Sequence, residues 1–202
     1  MQEKSTIVSW LTTATNMLKQ ADITSARLDA ELILANTLRK NRTYLHAHLD
    51  EEIDPRRVDI AEARLSLRLD RVPLAYILGK KEFYGREFEV SPSVLVPRPE
   101  SEEMINLLLR LAPQDDQPRT LIDIGTGSGC LGITAALELP DNWHVVLSDI
   151  SPKALLVAEK NAKKLGAKIF TQKQSLLLGQ FEKLDCILAN LPYVDKSWKN
   201  TS

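Results

Sequence analysis

A chain of 202 residues is long enough for one or two domains and a substantial core. Its 26 lysines and arginines nearly balance 27 aspartates and glutamates, and a formal net charge of -1 weighs against a strongly nucleic-acid-binding protein. No stretch approaches the roughly twenty apolar residues of a membrane span, and Met1-Gln2-Glu3-Lys4 lacks the apolar run of a secretion signal, so a cytoplasmic chain with no membrane partner is expected.

The first 72 residues read as helices only. Ile7, Leu11, Ala14 and Leu18 repeat at helical spacing behind Ser5 or Thr6 as a cap. A second helix from Thr24 or Ser25 carries Leu28, Leu32 and Ala35 on one face, and a shorter one covers Tyr44 to Leu49. A longer helix starts near Pro55, with Ile60, Ala63 and Leu67 inward. Its Arg56, Arg57, Arg64, Arg68 and Arg71 alternate with Asp59, Glu62 and Asp70, which reads as a solvated charged face. His46 and His48 have no neighbours that complete a metal-ligand set, so no metal is expected. Composition changes at Val72-Pro73, and residues 73–99 read as a hairpin linker whose strands flank a Gly85-Arg86 turn. After Pro97-Arg98-Pro99-Glu100 comes a helix with an acidic first turn (Glu100, Glu102, Glu103) and an apolar face of Met104, Leu107, Leu108 and Leu111.

From Thr120 the pattern alternates strand and helix. Strands are expected at Thr120 to Ile124, His144 to Ser148 ending at Asp149, Lys168 to Thr171, and Asp185 to Ala189. Helices fall at about Gly129 to Leu139 and from Ser151 or Pro152 to Leu165, the latter with Leu155, Ala158 and Ala162 inward. Such alternation implies a parallel, doubly wound sheet. Cys130 and Cys186 lie in apolar contexts without paired spacing and read as reduced thiols.

The first strand runs straight into Asp123-Ile124-Gly125-Thr126-Gly127-Ser128-Gly129 and then a helix. Glycines there permit positive φ and a close ligand approach, and the helix N-terminus favours an anionic group. The spacing is not that of a dinucleotide fingerprint, because Cys130 stands where the third glycine belongs, and no Gly-Lys-Ser/Thr follows to make a P-loop. The pattern Asp-x-Gly-x-Gly-x-Gly resembles motif I of S-adenosyl-L-methionine-dependent methyltransferases. Asp123 either holds the loop or lies near the cofactor's sulfonium and amino group. Asp149, roughly twenty residues on at a strand end, either accepts ribose hydroxyls or caps the next helix. Asn190-Leu191-Pro192-Tyr193 follows the fourth strand, as a plain strand-ending turn or as an acceptor site. In the second reading the Asn190 oxygen and a backbone carbonyl near Leu191 accept both N–H bonds of a planar nitrogen, Tyr193 walls in the acceptor, and Pro192 stiffens the loop.

These motifs, with Asp29-Ala30-Glu31-Leu32, Pro73-Leu74-Ala75-Tyr76-Ile77-Leu78-Gly79, Glu82-Phe83-Tyr84-Gly85 and Val96-Pro97-Arg98-Pro99-Glu100, resemble the HemK/PrmC family of release factor glutamine methyltransferases. The resemblance implies a helical substrate-docking domain (1–72), a hairpin linker (73–99) and a class I, Rossmann-like methyltransferase domain (100–202). It implies methyl transfer from S-adenosyl-L-methionine to the glutamine amide of the Gly-Gly-Gln motif in class I peptide chain release factors. By matched position Gly125, Thr126, Gly127, Ser128, Gly129 and Asp149 bind cofactor, with Asp123 close by. Asn190 touches cofactor and glutamine, and Leu191, Pro192 and Tyr193 line the acceptor pocket. Ser175 or Leu176 stands where the family commonly carries an acid or tryptophan against adenine. Leu191 replaces the family's usual proline, and Asn-Leu-Pro-Tyr is also the form of ribosomal RNA adenine dimethyltransferases. The family sheet has seven strands, whereas this chain stops just past the fourth, so a C-terminally shortened form is expected. An adenine-N6 methyltransferase on RNA or DNA and an inactive release-factor-binding fragment are the alternatives; the chain is read as a monomer without a nucleic-acid partner.

Overall fold

Helix α1 (Ile7–Gln20) opens where Thr6 and Ser9 cap each other: Ser9 N–H donates to Thr6 Oγ1 at 3.3 Å, and Thr6 N–H donates to Ser9 Oγ at 2.9 Å. The computed structural model in which this cap is seen describes residues 5–113, 115–175 and 183–191. The chain divides into two units, Met1–Gly79 and Lys80–Ser202.

The first unit holds α1, α2 (Ala26–Leu38), α3 (Arg42–Ala47), α4 (Pro55–Leu69) and α5 (Leu74–Leu78) around one apolar core. Ile7, Leu11, Ala14 and Leu18 of α1 are all buried, as their spacing predicts. The predicted face of α4 is wrong, and that of α2 is right at Ala35 but not at Leu28. Leu28 is exposed, while Ala30, Ile33 and Leu34 face inward together with Asp29 and Glu31. On α4, Ile60, Ala63 and Leu67 are exposed, and Ala61 and Leu65 are buried.

The physical reason is charge pairing. Arg68 Nε donates to Asp29 Oδ2 at 2.7 Å, and Arg64 Nη1 donates to Thr37 Oγ1 at 2.8 Å. Arg57 Nη1 donates to the Thr37 carbonyl at 2.9 Å, so these arginines reach α2 instead of forming a solvated face. Burial alone would raise the Glu31 carboxyl, but Arg42 and Arg27 outweigh it and hold the group below its usual range. Helix α3 starts two residues before the predicted Tyr44, because Asn41 Oδ1 caps it by accepting from Tyr44 N–H at 2.8 Å. His48 stacks on Tyr44 with ring centroids 4.0 Å apart, and His46 Nε2 lies 3.4 Å from Glu31. The stretch read as the start of the linker first forms α5, which opens at Pro73 and ends at Gly79.

In the second unit β1 (Lys80–Phe83) pairs with β2 (Arg86–Glu89) in an antiparallel hairpin. Its turn is Tyr84-Gly85, one residue before the predicted Gly85-Arg86, with φ of 51° and 70°. Two left-handed residues match the twist of the strands, and Gly takes the second of the two places. Tyr84 keeps its strained backbone because its N–H donates to Glu102 Oε1 at 3.0 Å. Phe83 and Phe88 meet edge to face at 6.2 Å in the core.

A 3₁₀ turn (Pro99–Ser101) leads into α6 (Glu102–Leu111). Of its predicted apolar face only Leu108 is fully buried, joined by Ile105; Leu107 and Leu111 are exposed. Those two line an apolar groove with Met104 and Ile187, beside the edge strand β6 (Cys186–Ala189). The remaining elements are β3 (Arg119–Ile124), α7 (Cys130–Glu138), β4 (Trp143–Asp149), α8 (Pro152–Leu165) and β5 (Phe170–Lys173). The strands form one sheet in the order β5-β4-β3-β6, every pair parallel. Strand β5 starts two residues later than predicted, because it pairs with the last part of β4, Val146 to Asp149. Among the described residues no helix is long and apolar enough to cross a membrane.

The ion pairs of the helical unit are testable. Asp29→Ala leaves the largely buried Arg68 guanidinium without its carboxylate, and a loss of about 3 kcal/mol is expected in urea unfolding. Removing both partners as Asp29→Ala/Arg68→Met is expected to recover much of that loss, because no unpaired charge remains.

Candidate active site

From β3 the chain builds the sheet in one direction through β4 and β5, and then returns to lay β6 on the other side of β3. The direction of building thus reverses at β3, and in open parallel sheets ligands bind outside the carboxyl ends of the strands at such a point. The register pairs Ile124 with Ala189, so the next residues, Gly125 and Asn190, emerge side by side. The residue after Asn190 lies close to the turn: a Cβ built on Gly125 would lie 2.7 Å from Leu191 Cδ2.

The turn after β3 has positive φ at Gly125, Gly127 and Gly129 (67°, 56° and 83°), a backbone that a side chain would strain. Three kinds of group hold it. Thr126 N–H donates to the Ser148 carbonyl at 3.0 Å, which ties the turn to β4. Gly127 N–H donates to Asp149 Oδ2 at 3.0 Å. From beneath, Asp123 Oδ2 accepts from Thr126 Oγ1 at 2.6 Å and from Gly132 N–H at 2.9 Å. Of the two alternatives for Asp123, this geometry matches holding the loop. Gly132 is present for space: a Cβ there would meet Leu147 Cδ2 at 2.2 Å and Asp123 Cβ at 2.9 Å.

Asp149 stands half-exposed at the end of β4. Its Oδ1 accepts from Ser151 N–H at 2.9 Å, but the side chain capping α8 belongs to Ser151, whose Oγ accepts from Ala154 N–H at 3.3 Å. Each Asp149 oxygen thus keeps a lone pair for a hydroxyl. At the end of β5, Gln174 N–H donates to the Asp149 carbonyl at 3.2 Å. Both ends of the Gln174 side-chain amide are buried without a hydrogen-bond partner among the described residues, whereas Ser175 is exposed. Asn190 is half-buried, and its Nδ2 donates to Ser101 Oγ at 2.7 Å. Leu176, Pro192 and Tyr193 lie outside the described residues.

Asn161 plays a part that pattern reading misses. Fully buried on α8, it accepts from Glu89 N–H at 2.7 Å and donates to the Glu89 carbonyl and to the Ser128 carbonyl, both at 2.9 Å. One amide therefore fastens the hairpin to the glycine turn. The available signal was an asparagine among the inward positions Ala158 and Ala162.

Burial, reinforced by the Asp123 charge, pushes the Cys130 thiol up to about 12, so it is no nucleophile at neutral pH. Among the described residues no group of three His, Cys, Asp or Glu is placed to hold a metal ion.

Two measurements follow. Burial first, and the facing Asp149 charge, raise Asp123 from 3.8 to about 6 against the pull of Thr126 and Gly132. A carboxyl raised on folding contributes stability that is full below about pH 4 and lost as pH rises through about 6. Asp123→Asn keeps an acceptor oxygen and does not titrate. Thermal unfolding is expected to show the wild type losing stability relative to the variant across that window, and parallel profiles would contradict it. Asn161→Ala strands part-buried backbone groups of Glu89 and the buried Ser128 carbonyl, and a loss of about 3 kcal/mol is expected in the same assay.

The PrmC N-terminal domain model matches residues 9–79, and the Methyltransferase small domain model matches residues 103–202. The chain is 43% identical over 182 residues to the release factor glutamine methyltransferase of Koribacter versatilis, covering 88% of this chain and 63% of that protein. It is 36% identical over 204 residues to the one of Leptospira interrogans, covering 98% of this chain and 71% of that protein. Among solved structures, the ribosomal protein L11 methylase of Lactobacillus delbrueckii subsp. bulgaricus is similar at 35% identity, with a TM-score of 0.41 over 46% of this chain and 47% of its own. On the extent of its match to these relatives, the chain belongs to the release factor glutamine methyltransferase family.

Proposed function

We propose that this chain methylates the side-chain amide nitrogen of the glutamine in the Gly-Gly-Gln motif of class I peptide chain release factors. The observation that carries the reading is the pairing of β3 with β6, which sets Asn190 beside the glycine turn. S-adenosyl-L-methionine supplies an electrophilic methyl group on its sulfonium. The residues suit such a molecule: a glycine turn with space over Gly127, where a Cβ would meet nothing nearer than 4.0 Å, and a carboxylate with free lone pairs at Asp149. Asp149 accepts the ribose hydroxyls, and the Gln174 amide, which has no hydrogen-bond partner among the described residues, offers a donor and an acceptor to the adenine edge beside Ser175.

A carboxamide nitrogen is a poor nucleophile, because its lone pair is delocalised into the carbonyl. Asn190 Oδ1 and the Leu191 carbonyl accept its two N–H bonds, which returns electron density to nitrogen and fixes its approach to the methyl group. The new N–C bond forms as the S–C bond breaks, and one N–H proton leaves to water. Positioning and fixed dipoles do the catalytic work. On this reading the chain works in the cytoplasm, on a protein substrate.

The test pairs calorimetric titration of S-adenosyl-L-methionine with transfer of labelled methyl to a release factor and to peptides carrying Gly-Gly-Gln or Gly-Gly-Ala. Saturable binding and labelling of the glutamine substrates alone are expected. Asn190→Ala is expected to lower transfer by about 100-fold or more while cofactor affinity changes only a few-fold. Labelling of adenine in RNA instead, or of nothing, would refute the proposal.

A further inference from the structure

We propose that Arg57 and Arg64 of α4 form a docking point for carboxylate side chains of the protein substrate; this rests on the reading that the chain acts on a release factor. Elsewhere in the helical unit, arginines that reach inward meet an acid. Arg27 and Arg42 each lie 2.6 Å from Glu31, and Arg68 lies 2.7 Å from Asp29. Arg57 and Arg64 break that rule. Each makes one hydrogen bond among the described residues, at 2.9 Å and 2.8 Å, and both bonds go to neutral oxygens of Thr37. Among the described residues neither has a carboxylate within ion-pair distance.

Two guanidiniums, both half-buried, are thus brought to one residue with no acid to balance them. Burial first, and then the like charge of Arg57, hold the Arg64 guanidinium below its ordinary range. Thr37 lies in the last turn of α2, whose carbonyl end carries a partial negative charge of about half a unit. That is too little to offset two full charges. The residues that follow add Arg39 and Lys40, both exposed, and Lys40 stands over the neutral Tyr44 ring at 4.5 Å.

Capping explains only part of this. A free carbonyl at the end of α2 accounts for one N–H of Arg57. Arg64 is not needed in that way, because the Thr37 hydroxyl already donates to the Ile33 carbonyl at 2.8 Å. The N–H groups left on each guanidinium form a planar fork that matches a carboxylate. A phosphate backbone would instead require an extended track of cations. Here Asp50, Glu51 and Glu52 precede Arg57, and the exposed Asp59 and Glu62 stand between the two arginines in sequence. The positive region is therefore short, and a short acidic stretch of a protein complements it better than a long polyanion.

The experiment measures methyl transfer by the full chain to an intact release factor and to a short, neutral Gly-Gly-Gln peptide. In Arg57→Gln/Arg64→Gln the KM for the intact factor is expected to rise about tenfold, the scale of two partly exposed charge pairs, with kcat unchanged. Kinetics on the short peptide should not change. The wild-type KM for the factor should climb with salt more steeply than the variant's. Should the glutamine variant unfold, Arg57→Lys/Arg64→Lys keeps both charges without the forks, and a smaller rise in the same KM is expected. Equal KM and equal salt dependence in wild type and variants overturn the proposal, as does a rise that the short peptide shares. Binding of a mixed-sequence single-stranded RNA that is lost in the variant, with the KM for the factor unmoved, also overturns it. A wild-type chain that methylates neither factor nor peptide overturns the proposed reaction, and the docking role with it.

Discussion

The parallel pairing of β3 with β6 is the contact on which the rest of the site depends. A slip of one residue would move Asn190 by about 3.3 Å and turn its side chain to the other face of the sheet. A four-residue strand offers few bonds to prevent that, and Asp185 supplies the lock. Its N–H donates to the Thr120 carbonyl at 2.9 Å, and its Oδ2 accepts from Thr120 N–H at 2.9 Å. The Thr120 N–H and the Lys183 ammonium hold the Asp185 carboxyl below its usual range, so the clamp stays ionised at neutral pH. Register is thus set at the start of β6 by a residue far from any chemistry.

The strand ends are then stiffened by buried polar side chains that make several bonds each. Asp123 ties two ends of the glycine turn, and Asn161 ties that turn to the hairpin. In a low-dielectric interior such groups are costly unless satisfied, and when satisfied they specify one arrangement. That suits a reaction whose rate comes from orientation, since fixed dipoles need no reorganisation as charge develops. The helical unit uses the same physics for another purpose. Asp29 and Glu31 sit on the inner face of α2 because arginines of α2, α3 and α4 meet them there, joining helices that apolar packing alone would align less uniquely.

What could be read from the chain was what is local. A glycine turn after an apolar run, an acid at Asp149 and an asparagine after the last strand are adjacent-residue patterns, and each sits at the strand end its pattern implies. The misreadings share a cause: partners distant in sequence. Periodicity scores Asp29 and Arg68 as solvent-facing, because it cannot know they lie 2.7 Å apart. Leu28, Leu67 and Leu111 score as core by the same rule and are exposed. Ser101 and Asn161 carry no signature beyond being polar where the pattern is inward, and their partners lie 89 and up to 72 residues away.

Leu191 shows how a local departure takes its meaning from such a distant partner. Where the family usually has proline, this chain has a side chain that reaches over Gly125 so closely that no Cβ fits between them. Gly125 therefore answers two demands, a left-handed backbone and an open face for Leu191. The consequence is mechanical. The backbone that would cradle the cofactor and the carbonyl proposed to orient the substrate belong to segments in van der Waals contact, so displacing one displaces the other. A proline in that place restricts the loop through its own ring; leucine restricts it through packing against the turn. Both routes leave the carbonyl of the residue in place, which is the only part of position 191 that the proposed chemistry uses.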